Sequence, residues 1–282
     1  MVNGLPPATT FVLGVNVLIH VIIFLTSANL NTFSIAAAPI IYGGEYYRIL
    51  SSAFVHGGFF HILMNMMSLM QLGPGLELKF GTLSFAGMTL WAIVVAGSLY
   101  VSISWFCGTL SGDPAWMVHS GVGYSGVLFV YATLESYHTT VQSRSVFGFF
   151  SVPARVYPWI LLVLLSVVLP GISFLGHLCG ILTGMLFITG ALQLCMPAPL
   201  FLRHAEEYAC LRWLTRMDTF SRTADKPFTA DTEGGLGGMI FTVLLYAWFF
   251  VETVLGICGC RVNLAGRLQA MTGPADCIAA MG

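Results

Sequence analysis

Charge is scarce in this chain. Only 8% of its 282 residues are Asp, Glu, Lys or Arg, while 57% are hydrophobic; a water-soluble domain carries about a quarter charged residues, so that class is excluded and a polytopic membrane protein is indicated. No cluster of Lys and Arg could follow a phosphate backbone, which removes nucleic acid as a partner. There is no His-Glu-x-x-His, and no two aspartates lie within apolar helices. A zinc protease site of that kind and an aspartyl intramembrane site are therefore both missing, and no metal or other cofactor is expected. The seven cysteines are scattered without zinc-type spacing, apart from the lone Cys258-Gly-Cys260, and read as small hydrophobes. The first basic residue is Arg48. With neither a charged signal n-region nor an Arg-rich transit peptide, the first hydrophobic segment is expected to remain as an anchor.

What is present is a series of long apolar segments. Spanning helices are expected over 11–28, 59–76, 83–106, from Ser125 to about 138, over 156–169 and over 172–195, with a possible seventh over 239–257. Residues 29–54 are too rich in Ala, Pro, Gly and Tyr to span and too apolar to float in water, so they are expected as a loop at the membrane interface. Glu77, Lys79 and Gly81 suggest a tight link between the second and third helices, and 108–123 reads as a loop. Residues 197–238 read as a polar, solvated linker. If the helices alternate, Lys79, Arg144, Arg155 and the basic residues Arg203, Arg212, Arg216, Arg222 and Lys226 share one side, eight of the eleven Lys and Arg. That side is expected to be cytosolic, together with the amino terminus.

One short stretch organises the rest: Gly123-Tyr124-Ser125-Gly126, at the head of an apolar helix. Glycines on both sides let the backbone turn sharply and let a carbonyl approach Ser125, while the first amides of the helix are unpaired donors suited to an oxyanion. Alone, the pattern more often marks a small-residue packing patch. The fourth helix reaches Glu135 within about 15 Å of rise, against about 30 Å of hydrocarbon, which sets Ser125 inside the bilayer's thickness.

A serine needs a base. His177 lies in Gly176-His177-Leu178-Cys179-Gly180, and Gly180 and Gly184 form a small-xxx-small face over which His177 projects. If that face meets the Ser125 helix, imidazole and hydroxyl come within hydrogen-bond reach. His61 and Asn65, four apart, lie on one side of the second helix and supply donors of the kind an oxyanion needs; read in isolation they serve as well as polar glue between helices. No acidic residue is placed for a third position, which favours a Ser-His dyad over a triad.

In order, Tyr47-Arg48, His61-x-x-x-Asn65, Leu72-Gly73 with Glu77 and Gly81, Gly123-Tyr124-Ser125-Gly126, and Gly176-His177 with Gly180 and Gly184 resemble the rhomboid family of intramembrane serine proteases. The later motifs look most like its endoplasmic-reticulum rhomboid-domain-containing branch. The resemblance implies a six-helix all-α transmembrane bundle over 1–196, followed by a cytosolic linker over 197–238 and a hydrophobic segment with a short tail over 239–282. It implies that Ser125 attacks a peptide bond at or near the transmembrane segment of a single-pass or polytopic membrane-protein substrate. His177 would act as base and then acid, and His61, Asn65 and the Ser125 amide would hold the oxyanion. Gly123, Gly126, Phe129, Arg48, Gly180 and Gly184 would support the site. It further implies an endoplasmic-reticulum membrane and quality-control cleavage there. The chain has Tyr47 where the family usually has Trp, and Phe129 where members often have Tyr; stacking on the histidine survives the second change. Two other readings stay open: a non-proteolytic binder of membrane-protein clients, which keeping both dyad residues argues against, and a solute transporter, for which internal repeats are lacking.

Overall fold

The structure, a computed structural model, describes residues 4–169, 171–192 and 196–224; the expected seventh span lies outside them. Among the described residues, six helices run to twelve residues or more: α1 (Pro7–Thr26), α4 (Phe59–Phe80), α5 (Thr82–Ser111), α7 (Ser125–His138), α8 (Tyr157–Val168) and α9 (Phe174–Ile188). α1 and α5 are long and apolar enough to cross a bilayer alone.

The stretch over 29–54 is more regular than a loop. It holds α2 (Ala37–Ile41) and α3 (Arg48–Phe54). α3 turns by 91° into α4, and the pair together is apolar enough for a third crossing. Of the region expected as a loop over 108–123, residues 108–111 continue α5 and the four-residue α6 (Ala115–Val118) follows.

The expected link after the second helix is also corrected, because α4 runs on through Glu77 and Lys79 to Phe80. Glu77 can stay helical and fully buried because its carboxylate is met by another helix. It accepts hydrogen bonds from the Ala8 N–H at 2.9 Å and from the Thr9 N–H and hydroxyl, each at 2.7 Å. α1 starts behind Pro6, which offers no side-chain acceptor, so Glu77 satisfies amides that the helix start would leave orphaned. Gly73, one turn earlier, makes room for this: a Cβ there would stand 3.0 Å from Thr9. Only Gly81, at φ +95°, remains of the link.

α9 is shorter than the helix expected over 172–195. Its carboxyl end is closed by Gly190 at φ +79°, whose N–H reaches back to the Phe187 carbonyl, the left-handed ending that glycine permits. Between α7 and α8 the chain makes a hairpin of β1 (Ser143–Val146) and β2 (Phe150–Pro153), with Val146 opposite Phe150. Arg144 pins it to the bundle through an ion pair with Glu135 and a contact over the Tyr157 ring.

Part of the stretch expected as a linker folds back on the bundle. α10 (Pro199–Glu207) leads to a return segment in which Ser221 and Ala224 bond across the α4–α5 corner: the Thr82 N–H donates to the Ser221 carbonyl at 2.8 Å, and the Ala224 N–H to the Phe80 carbonyl at 3.1 Å.

Candidate active site

α7 and α9 run parallel in close contact, and each carries one chemical residue in its first turn. The approach depends on missing side chains. A Cβ on Gly180 would fall 2.2 Å from the Gly126 carbonyl oxygen, and one on Gly184 would fall 2.7 Å from Thr133 Cβ. Ser173 caps α9 by accepting the Gly176 N–H at 3.1 Å, which starts the helix one turn before the point of closest approach.

At that meeting His177 Nε2 lies 2.8 Å from Ser125 Oγ. The imidazole is buried, stacked on Phe129 with ring centroids 4.4 Å apart and planes at 25°. Its Nδ1 has no hydrogen-bond partner among the described residues, so no third polar group orients the ring. Phe129 does that work instead, through a contact worth about 0.5–1.5 kcal/mol beyond the area it buries.

The turn before Ser125 is built from three directions. Gly123, at φ +119°, donates its N–H to the Ser52 carbonyl at 2.8 Å. A Cβ at 123 would lie 2.6 Å from His61 Nε2, so glycine is needed both for the torsion and for the neighbour. His61 accepts the Gly57 N–H at Nδ1, 3.3 Å away. That leaves its proton on Nε2, the atom facing Gly123. The next N–H, that of Tyr124, donates to Nε2 of His56 at 3.3 Å. His56 is fully buried, with its ring edge-on to His61 at 5.1 Å. Sequence reasoning missed His56. The available signal was a second histidine five residues before His61, in a chain with only seven.

The other expected residues divide. Asn65 is buried, but its amide donates back to the His61 carbonyl of its own helix at 2.7 Å, and its oxygen has no hydrogen-bond partner among the described residues. The structure brings His61 to the Gly123 turn and leaves Asn65 one turn deeper. Arg48 has its partners elsewhere: it donates to the Asn31 and Ser34 carbonyls and pairs with Glu45 at 2.6 Å. Its reach is indirect. The loop it braces sets Ile35 against Gly121, with reciprocal backbone bonds of 2.9 and 3.0 Å, two residues before Gly123.

Ser125 and His177 open onto a cavity of about 70 Å³ whose wall includes Gly97, Tyr100 and Val122. That is several times the room one water needs. Beneath the site, Tyr124 and Tyr131 are fully buried, and their hydroxyls bond each other at 2.9 Å and then Thr89 at 2.6 Å. These bonds satisfy phenols that would otherwise cost about 1–3 kcal/mol each.

Residues 43–194 match the rhomboid domain. The chain belongs to the rhomboid family. It is 32% identical over 225 residues to rhomboid-like protein 15 of Arabidopsis thaliana, a match covering 77% of this chain and 55% of that one. It is 31% identical over 207 residues to mouse rhomboid-related protein 4, covering 72% and 64%. With the rhomboid-type serine protease B of Aspergillus fumigatus it shares 30% over 166 residues, 58% of each. The chain thus spans little more than half to about two thirds of the length of these relatives. Family membership and the apolar helices together make it an integral membrane protein.

Proposed function

We propose that this rhomboid protein is an intramembrane serine endopeptidase acting through a Ser125–His177 dyad. The observation that carries the reading is the 2.8 Å contact between Ser125 Oγ and His177 Nε2 at the wall of a cavity with room for water. With Nε2 as acceptor, His177 takes the Ser125 proton as Oγ bonds to the substrate carbonyl carbon. The electron pair of the carbonyl goes to its oxygen, which the Ser125 N–H and the Nε2–H of His61 stabilise, with Asn65 contributing its remaining amide proton. The tetrahedral species collapses as His177 gives its proton to the departing amine, leaving an acyl-serine. Water from the cavity repeats the sequence and releases the acid.

The substrates are single-pass or polytopic membrane proteins cut at or near a transmembrane segment. α7 has fourteen residues and rises about 21 Å, short of the roughly 30 Å hydrocarbon layer, which supports cleavage below the membrane surface. The distribution of Lys and Arg supports a cytosolic amino terminus and a site facing the lumenal side, and the rhomboid-domain-containing likeness supports an endoplasmic-reticulum membrane.

The test is a fluorophosphonate probe and a model transmembrane substrate, applied to purified protein in detergent and in lipid. Labelling and cleavage are expected in the parent, absent in Ser125→Ala and strongly reduced in His177→Ala. A folded parent that neither labels nor cleaves in either medium would overturn the reading in favour of client binding without proteolysis.

A further inference from the structure

The segment after α9 buries a carboxylate and leaves large apolar side chains exposed beside charged ones. In a water-facing helix the apolar side turns inward; here the inward side is ionic. Glu206 is 2% exposed, and its carboxylate accepts the Thr223 N–H at 2.8 Å and the Thr223 hydroxyl at 2.7 Å, while Arg222 approaches at 3.3 Å. Arg203 Nε donates to the Thr223 carbonyl at 3.0 Å. The outward side of the same segment carries Leu200, Phe201 and Trp213, which are 68%, 64% and 65% exposed.

Three observations fix what covers that side. The segment is tethered to a membrane helix, since α10 begins at Pro199, eleven residues after α9 ends at Ile188. It is held to the bundle, because its returning residues Ser221 and Ala224 are bonded to Thr82 and Phe80 at the corner of α4 and α5. A Cβ on Gly81 would lie 2.5 Å from the Thr223 backbone, so that corner is shaped to receive it. The corner also marks one end of the bundle, where Lys79 donates to the His138 carbonyl at the finish of α7, the end opposite Ser125. Finally, the exposed Trp213 is flanked by the exposed Arg212 and Arg216. An aromatic beside paired arginines at a bundle end is suited to a layer that is apolar on one side and anionic on the other.

We propose that residues 199–217 form a foot lying in the headgroup layer of the leaflet opposite the Ser125 end, with Phe201 and Trp213 embedded and Arg212 and Arg216 against anionic lipid. The buried Glu206 network turns the apolar side outward, and the tether sets it beside the acyl boundary. This inference is independent of the proteolytic reading.

The test uses the full chain in vesicles of phosphatidylcholine, with and without phosphatidylserine, and lipid brominated high on the acyl chain. The emission of the parent minus that of Trp213→Phe isolates one indole. Placing Phe201→Trp in the Trp213→Phe background reports the other end of the same face. Both signals are expected to be blue-shifted and to lose emission to bromolipid, with a greater loss when phosphatidylserine is present. Arg212→Gln with Arg216→Gln should remove that lipid dependence. Signals that are blue-shifted but unquenched would assign the face to a protein partner or to residues 239–257 and overturn the proposal. Red-shifted, unquenched signals would overturn it in favour of water. Quenching indifferent to phosphatidylserine would overturn the role of the arginines.

Discussion

Gly180 and Gly126 face each other across the helix pair that carries the site, yet they are not equivalent. A methyl on Gly180 would meet the Gly126 carbonyl at 2.2 Å, whereas one on Gly126 has the Gly176 carbonyl at 3.4 Å. Gly180→Ala should therefore push α7 from α9, lengthen the Ser125 to His177 contact and lower cleavage by far more than Gly126→Ala. Parallel rates and thermal melts of the two variants check this, and equal effects would show that the close approach is not what glycine supplies. Phe129 meets His177, the proposed base, ring to ring. Phe129→Ala should reduce turnover roughly two- to tenfold, the factor that 0.5–1.5 kcal/mol of lost stacking represents, while Phe129→Tyr should hold activity. Substrate-saturated rates separate this from a loss of binding.

At the scale of the element, the first loop and the start of α1 each depend on an acid of their own. Glu77 holds the α1 terminus through three bonds, and removing a buried partner of this kind costs about 1–3 kcal/mol. Glu77→Ala should lower the unfolding free energy in mild detergent by that amount, with Glu77→Gln intermediate because an amide oxygen still accepts. Glu45 in the first loop is held below its ordinary value of 4.5, first by the Tyr47 hydroxyl and then by Arg48. A depressed carboxylate contributes order above its unfolded value and loses it as pH falls through the folded one. The loop that aligns Ile35 with Gly121 should thus loosen only below the ordinary carboxylate range, and Glu45→Gln should loosen it at neutral pH. Amide exchange at Ile35 and Gly121 reports both.

Across the whole molecule, the α4–α5 corner joins α1 to α7 and to the returning segment. Glu77, Lys79, Phe80 and Gly81 make those contacts within five residues of chain. Glu206→Ala should release the returning segment, expose the corner to protease and leave Ser125 chemistry largely intact, because the site lies at the other end of the bundle. Limited proteolysis with the fluorophosphonate label as a second readout distinguishes a local release from general unfolding.

By itself the sequence determined the membrane class, the six apolar segments and the candidate pair Ser125 and His177, because hydrophobic length and small-residue spacing act locally along the chain. The Phe129 stack followed instead from the family resemblance, in which an aromatic at this position lies on the histidine. Only the tertiary structure decided the rest. Glu77 and Lys79 look like link residues until α1 and α7 supply their partners, so a charge that should end a helix continues it. His56 gains meaning from an amide sixty-eight residues away, and Asn65 gives one amide proton to the His61 carbonyl of its own helix. Residues 199–224 read as a solvated linker because mixed charge usually faces water. Their carboxylate faces inward, and that followed from the corner at Gly81, whose missing side chain leaves room for a second backbone.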